Sequence, residues 1–189
     1  MRKILFAILA AAISGCCLSL TAQAQPRAAG IRVGVTGSEA SYQHTFGKNF
    51  LEAETGVDFG HGGAGFKAAA LYNFIFARPA WTDRGSWGLY AGPGLAIGYV
   101  SDRTTYMLYD RFSEMSVKVH PLDYGFMIAL AAQIGLEYNF WFPLQLSLDI
   151  RPYFGLHVND GFHIYKSKAG FYNYGMMGFI PTLSVRYRF

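Results

Sequence analysis

Apolar and polar residues alternate along much of the chain with a period of two, the pattern of β-strands that have one apolar face. The clearest run covers residues 144–157, in which every second side chain from Leu144 to Leu156 is apolar. The intervening positions include Asp149 and Arg151. A helix would place these two charges among leucines, whereas a strand puts them on the opposite face. The run therefore predicts a strand.

Runs of this kind, separated by clusters of Gly, Asn, Asp and Pro, predict eight strands. They cover residues 31–36, 40–46, 51–59, 66–76, 89–99, 130–140, 144–157 and 183–189. Most approach the roughly 9–11 residues that a tilted strand needs to cross a bilayer. Short connections (47–49, 79–85 and 141–143) alternate with longer ones (60–65, 101–123 and 158–173), which is typical of outer-membrane barrels. The sequence thus predicts an all-β fold, an eight-stranded antiparallel up-and-down transmembrane β-barrel.

The two faces of the predicted strands differ in charge. The apolar face carries no charged residue, whereas the opposite face mixes small residues with five acids and five bases. These ten are Arg32, Glu52, Glu54, Asp58, Lys67, Glu137, Asp149, Arg151, Arg186 and Arg188. An unpaired charge away from water is costly, and eight strands enclose a lumen that side chains can fill. We therefore expect a lumen closed by ion pairs, without a conducting channel, and an apolar face that meets lipid.

Aromatic residues collect at the predicted strand ends, as they do at membrane interfaces. On the side of the short turns these are Phe46, Phe50, Phe76, Trp87, Phe140, Trp141, Phe142, Tyr187 and Phe189. On the other side they are Phe59, Tyr99, Tyr124 and Phe126. The sequence thus predicts two aromatic belts.

The first 24 residues have the pattern of a secretory signal peptide. Arg2 and Lys3 precede an apolar stretch over residues 4–13, and Ala22-Gln23-Ala24 forms a small-x-small cleavage site. We expect cleavage there to leave residues 25–189 as the barrel domain. Both cysteines, Cys16 and Cys17, fall in the leader, so the mature chain would hold no thiol. Residues 13–16 also resemble a lipobox, so the alternative prediction is a lipid attached to Cys16.

Composition agrees with one membrane-embedded domain. The chain has 189 residues, of which 15% are charged and 17% aromatic, against ~25% charged in an ordinary soluble domain. Without Arg2 and Lys3, 14 basic residues (16 − 2) oppose 12 acidic ones. This charge is too small to indicate a nucleic-acid partner.

The late strands carry a resemblance to a known class. Residues 135–140 (GLEYNF) and 143–149 (PLQLSLD) look like its paired late strands, and residues 183–189 (LSVRYRF) alternate up to a terminal Phe. The chain resembles the small outer-membrane β-barrel proteins of Gram-negative bacteria. In size and strand count it is similar to the porin-family barrels of OmpX and OmpA. The resemblance implies a place in the cell outer membrane, with contacts to its lipid and lipopolysaccharide. It also implies that Val185, Tyr187 and Phe189 form the signal read by the outer-membrane assembly machinery.

Some barrels of this size are enzymes, but the sequence does not favour catalysis. Small barrels of the lipid A deacylase family carry a His-x-Ser-Asn arrangement near the C-terminus, and neither His157 nor His163 is followed by that Ser. The histidines also lack the spacing of metal ligands. We therefore predict no catalytic residue, metal or cofactor. An outer-membrane lipid-modifying enzyme, a soluble secreted lipid-binding barrel and a pore remain as alternatives.

The two longest predicted loops have the mixture of aromatic and basic residues found at interaction surfaces. The candidate partner-binding residues are Tyr106, Tyr109, Arg111, Phe112, Phe162, Tyr165, Lys166 and Lys168. They would contact a surface protein partner, or the phosphates of lipopolysaccharide. The predicted function is non-enzymatic: envelope structure, surface interaction or adhesion.

Overall fold

A computed structural model of the chain describes residues 27–60, 63–103, 106–110, 115–119, 122–159 and 169–189. The predicted signal peptide lies outside these residues, and so do Cys16 and Cys17.

The alternating segments form β-strands, and a 3-10 helix precedes the last of them. The strands are β1 (Arg27–Gly34), β2 (Gly37–Phe46), β3 (Asn49–Asp58), β4 (Gly65–Ala77), β5 (Ser86–Arg103), β6 (Tyr106–Asp110), β7 (Met115–Val119), β8 (Leu122–Asn139), β9 (Leu144–Ile150), β10 (Tyr153–Asn159), β11 (Ala169–Phe171) and β12 (Thr182–Arg188). The 3-10 helix spans Tyr174–Phe179. No helix in the described ranges is long and apolar enough to cross a membrane.

The strands close into a barrel. Each pairs antiparallel with the next in the order β1, β2, β3, β4, β5, β8, β9 and β12, and β12 returns to β1. β9 and β10 both pair with β8, and they do so in the same register. Ile150 of β9 lies opposite Ile134, and Tyr153 of β10 lies opposite Ala131. Counted with β10 as a continuation of β9, this is a closed, eight-stranded antiparallel barrel. The predicted all-β fold class is therefore confirmed.

The barrel has two different ends. The short-turn end carries the turns at 47–48, 78–85 and 140–143, together with Arg27 and the C-terminal Phe189. The long-loop end carries the connections after β1, β3, β5 and β10. These two names are used below.

The predicted loop at 101–123 is wrong in part. β5 and β8 continue past the other strands and stay paired as far as Arg103 and Leu122, and β6 and β7 form a hairpin beyond them. Residues 106–109 (YMLY) and 115–119 (MSVKV) are rich in aromatic and branched side chains, which favour strands.

The predicted single strand over residues 144–157 is interrupted at Pro152, which has no N–H to give to a ladder. β9 pairs with β12 on its second edge, but β12 begins only at Thr182. Residues 169–180, named the strap here, lie beside β10 instead. β11 pairs with β10, and the Arg151 N–H donates to the Gly178 carbonyl at 2.6 Å. The strap thus completes the wall where β12 does not reach.

The interior is partly apolar near the long-loop end, which the sequence did not predict. A buried cluster there joins β4, β5, β8 and β10 to the strap. Its members are Leu71, Ala96, Val100, Met127, Ala129, Ala131, Tyr153, Tyr172 and Tyr174. At the opposite end, the prediction that Phe50 belongs to the aromatic belt is wrong. Phe50 is only 2% exposed and packs edge-on against Tyr90 inside the barrel, because it shares the inward face of β3 with Glu52.

We predict that Gly178→Ala lowers stability by about 1–3 kcal/mol, the usual effect of overpacking. A Cβ at this position would overlap the carbonyl oxygen of Arg151, on the main chain that the strap contacts. Thermal unfolding of the purified chain, followed by circular dichroism, measures the effect. Gly170→Ala is the matched control, since a Cβ at Gly170 meets no atom within 4 Å. Equal melting temperatures for the two variants would contradict the close packing of the strap.

Candidate functional site

The lumen holds a connected network of nine charged side chains, each no more than 5% exposed. Its acids are Glu39, Glu52, Glu54, Asp58 and Asp149, and its bases are Arg32, Lys67, Arg151 and Arg186. The inward positions of β1, β2, β3, β4, β9 and β12 supply all but Arg151, which directly follows β9. Buried charges of this kind are tolerated only when they are paired and hydrogen-bonded.

Lys67 anchors the part of the network nearest the long-loop end. Its Nζ lies 3.0 Å from Asp58 Oδ1 and 3.0 Å from Glu39 Oε1, and it donates to the Thr36 carbonyl at 3.0 Å. The other oxygen of Glu39 pairs with Arg32 Nη1 at 2.7 Å. Lys67 therefore has two hydrogen-bond acceptors, the Thr36 carbonyl and Asp58, and a second carboxylate, Glu39, within ion-pair distance.

Asp149 is the centre of the network. Its Oδ1 accepts from Arg32 Nη2 at 3.1 Å and from the Thr182 hydroxyl at 3.1 Å, and it lies 3.9 Å from Arg151 Nη2. Its Oδ2 accepts from the Tyr90 hydroxyl at 3.2 Å. One carboxylate thus connects β9 to β1, β5 and β12.

Two arginines and two glutamates form the layer nearer the short-turn end. Arg186 pairs with Glu52, and Arg151 pairs with Glu54. The layer is also cross-linked, because Arg151 Nη2 lies 3.5 Å from Glu52 Oε2 and Arg186 Nη2 lies 3.8 Å from Glu54 Oε1. Each of these four side chains faces at least two opposite charges, and Arg151 faces a third, Asp149.

Neutral hydroxyls and amides contribute further hydrogen bonds to this layer. Arg186 donates to the hydroxyls of Ser41 and Ser147 at 2.8 and 2.7 Å. The Gln133 amide donates to Glu52 at 3.3 Å and accepts from Asn73 at 2.9 Å. A guanidinium group has five N–H donors, and those of Arg186 reach the two serine hydroxyls as well as the carboxylates. We therefore count these polar residues as part of the site.

The long charged side chains face a wall of small residues. The inward positions of β5 include Gly92, Gly94 and Gly98, and those of β8 include Ala129 and Ala131. Eight strands leave only enough room for side chains to fill the interior. Long side chains from one part of the wall therefore require short ones opposite.

Eight of the ten residues predicted to line the lumen take part in this network. Glu137 is buried but forms no ion pair with the described residues, and Arg188 lies half-exposed at the short-turn end. Glu39 was missed, because the predicted second strand began at residue 40. The alternation of Glu39, Ser41 and Gln43, all buried, was the signal that would have placed it inside.

The strap closes the lumen at the long-loop end. The Asp102 carboxylate accepts the backbone N–H groups of Asn173 and Tyr174 at 2.5 and 3.3 Å. The Tyr172 hydroxyl donates to Asp58 at 3.4 Å.

The described residues do not assemble a recognisable catalytic or metal site. No serine hydroxyl among them is hydrogen-bonded to a histidine, and they contain no group of three His, Cys, Asp or Glu that would hold a metal. His157, predicted beside an outer loop, is buried, and one ring nitrogen lies 3.0 Å from the Val100 carbonyl.

The candidate partner-binding residues fall mostly outside the described residues. Tyr106 and Tyr109 belong to β6. The others are Arg111, Phe112, Phe162, Tyr165, Lys166 and Lys168, which the structure does not describe.

The outer surface of the barrel is apolar. In the strands that form the barrel, between the strand ends, the outward positions whose burial is described carry no charged residue. Large side chains such as Phe126, which is 71% exposed, and Leu130, which is 64% exposed, point away from the barrel. Val185 and Tyr187 of the predicted assembly signal also point outward, and the Phe189 N–H donates to the Arg27 carbonyl at 2.9 Å.

Aromatic rings are grouped at both ends of this apolar surface. At the short-turn end, Trp81, Trp87, Tyr138 and Phe140 form a series with centroid separations of 4.5–5.4 Å. At the other end, Tyr99 lies between Tyr124 and Phe126 at 6.1 and 5.2 Å. Both groups contain residues predicted for the belts, such as Trp87 and Tyr99, but Trp81 and Tyr138 were not predicted.

Comparison of the chain with protein-family models, with curated proteins and with solved structures finds no match. The likeness to the OmpX and OmpA barrels therefore stays a prediction.

We predict that Asp149→Leu lowers the free energy of unfolding by about 3–5 kcal/mol, as removal of one member of a buried ion pair does. Arg32, Tyr90 and Thr182 would each lose a hydrogen-bonding partner. Denaturant unfolding of the purified chain measures the change. The same substitution at the exposed Asp83, in the turn at 78–85, should stay within about 0.5 kcal/mol of the parent. A similar small effect at Asp149 would contradict the role given to the network.

Proposed function

We propose that this chain is an integral protein of a Gram-negative outer membrane, whose barrel spans the bilayer and whose lumen is closed. In this proposal the protein is non-enzymatic. It serves envelope structure, or surface interaction and adhesion through the long-loop end. It belongs, on this view, with the small porin-family barrels that resemble OmpX and OmpA.

The observation that carries the proposal is the inverted polarity of the barrel. Nine charged side chains are buried inside, while the outward positions between the strand ends are uncharged and mostly apolar. A soluble protein rarely exposes contiguous apolar patches larger than a few hundred Å². In a bilayer the same surface is favourable, since lipid tails replace water around it.

A soluble lipid-carrying barrel would need the opposite arrangement. Barrels of that kind enclose an apolar cavity for their ligand. Here ion pairs of Arg32, Arg151 and Arg186 occupy the middle of the lumen. This supports the interpretation as a membrane protein over that as a soluble lipid carrier. It also argues against a pore, because the same side chains obstruct the lumen.

The ends of the barrel suggest how it is oriented and assembled. Aromatic groups at both rims match the interfacial belts of membrane barrels. We place the short-turn end toward the periplasm and the long-loop end outside, near lipopolysaccharide and any surface partner. Val185, Tyr187 and Phe189 would form the signal for the assembly machinery, as the resemblance implies.

With the lumen closed, function is expected to reside at the long-loop end. The β6–β7 hairpin and the paired ends of β5 and β8 project beyond the other strands there. Segments that extend from a barrel at one end suit the display of a binding surface, since binding residues are often carried on connections held by a rigid scaffold.

Fractionation of expressing cells is the direct test of location. We expect the protein in the outer-membrane fraction, and a gel band that shifts when the sample is boiled, because a closed barrel resists detergent at room temperature. We also expect no current steps in a planar bilayer. A soluble protein whose band does not shift would refute the proposal, and steady conductance would refute the closed lumen.

A charge on the outer surface separates the membrane reading from the soluble one. Leu130 lies near the middle of β8 and is exposed. We predict that Leu130→Arg lowers stability in lipid bilayers by about 2–4 kcal/mol, the effect of Arg near the midplane. The control Thr82→Arg, in an exposed turn, should have little effect. If Leu130→Arg were as harmless as Thr82→Arg, this surface would face water.

A further inference from the structure

The barrel opens at its short-turn end into a cavity of about 380 Å³. The cavity lies below the ion-pair network, and side chains from β2, β3, β8, β9 and β12 line it. Those that matter for recognition are Gln43, Arg78, Glu137, Gln145 and Arg188, with Phe50 as an apolar wall. The volume lies within the range of small-molecule sites, roughly 300–1,000 Å³.

Glu137 forms the negative part of the cavity. Its side chain is 3% exposed, and its two oxygens accept hydrogen bonds from Asn139 Nδ2 at 3.1 Å and Gln145 Nε2 at 2.8 Å. Within the described ranges it takes part in no ion pair, unlike the five carboxylates of the network. A buried carboxylate with two neutral donors retains capacity for a cationic partner.

Two amide atoms in the same cavity are buried and lack a partner among the described residues. They are Gln43 Nε2, a donor, and Gln145 Oε1, an acceptor. Both side chains are more than nine-tenths buried and line the cavity. Buried polar atoms normally have a hydrogen-bond partner. An unused donor and an unused acceptor in one cavity therefore point to a ligand that supplies both an acceptor and a donor.

The mouth of the cavity has the opposite charge to its interior. Arg188 is half-exposed, and Arg27 and Arg78 are exposed at the rim. The cavity is therefore positive outside and negative inside, since Glu137 lies deeper than the three guanidinium groups. Such a gradient suits a molecule whose two ends carry opposite charges.

We propose that this cavity binds a small zwitterion with a primary ammonium at one end and a carboxylate or phosphate at the other. The ammonium has three donors, which Glu137 and the free Gln145 oxygen would accept. The anionic end would remain near the arginines and take the free N–H of Gln43. The same chemistry occurs in free amino acids and in the ethanolamine-phosphate headgroup of a lipid. This inference goes beyond the proposed function, because it assigns a ligand to the end of the barrel without long loops.

Isothermal titration of the purified full chain in dodecyl maltoside, a non-ionic detergent, tests the site. The probes are γ-aminobutyrate and O-phosphoethanolamine, with ethylammonium and ethyl phosphate as single-charge comparisons. We expect at least one zwitterion to bind about tenfold more tightly than either single-charge probe. Competition by micellar phosphatidylethanolamine would identify a lipid headgroup as the source, and its absence a free zwitterion.

Variants locate the binding. Glu137→Gln should weaken zwitterion binding about tenfold and leave ethyl phosphate nearly unaffected. Arg78→Gln, at the exposed rim, should weaken binding of all three probes that carry an anion, the two zwitterions and ethyl phosphate, without affecting the fold. Asp83→Asn is the matched control, an exposed carboxylate of the same end outside the cavity, and should bind as the parent does. The heat-shifted gel band verifies that each variant is folded.

Three results would overturn the proposal. One is no heat from any zwitterion up to about 10 mM. Another is equal affinity for the zwitterions and the single-charge probes. The third is unchanged zwitterion binding by both Glu137→Gln and Arg78→Gln in their folded forms. None of these results bears on membrane location, so a failure here is distinguishable from a failure of the proposed function.

Discussion

The structure depends on the need to pair the charged side chains that are buried inside the lumen. Burying one unpaired charge costs several times the free energy that an exposed ion pair contributes. Each buried charge therefore requires partners, which come from several strands. Asp149, for example, accepts hydrogen bonds from residues of β1, β5 and β12. The network therefore links strands across the lumen, whereas the backbone hydrogen bonds link neighbouring strands around the wall. The strand register positions the charges for pairing, and the ion pairs in turn stabilise that register.

The network also divides the barrel into two ends with different properties. Toward the long loops, tyrosines of the strap pack over small residues and close the lumen with an apolar cluster. Toward the short turns, the network leaves a polar cavity with Glu137 inside and arginines at its mouth. A filled centre with two distinct ends argues for functions at the ends and against passage through the middle, as in the two proposals made above.

Much of this arrangement was predictable, because a period-two pattern assigns every residue of a strand to one of two faces. Eight of the ten predicted lumen charges, among them Arg32 and Lys67, take part in the network for that reason. The errors lie where strand ends decide the outcome. Glu39 was missed at the start of β2, and Arg188 falls at the open end of β12, where a guanidinium reaches water. The hairpin of β6 and β7 lies within residues 101–123, which were predicted as a connection between strands.

The fold class, the number of barrel strands and the face of most strand residues could be predicted from the sequence, because these follow from local alternation and from turn residues. Which acid meets which base depends on the closed barrel, because partners such as Arg32 and Asp149 are far apart in sequence and become adjacent only when the strands pair around it. The strap and the cavity beside Glu137 were likewise invisible in the sequence. Both arise where strands of unequal length leave part of the wall or the lumen unfilled, and that depends on the closed shape of the whole barrel.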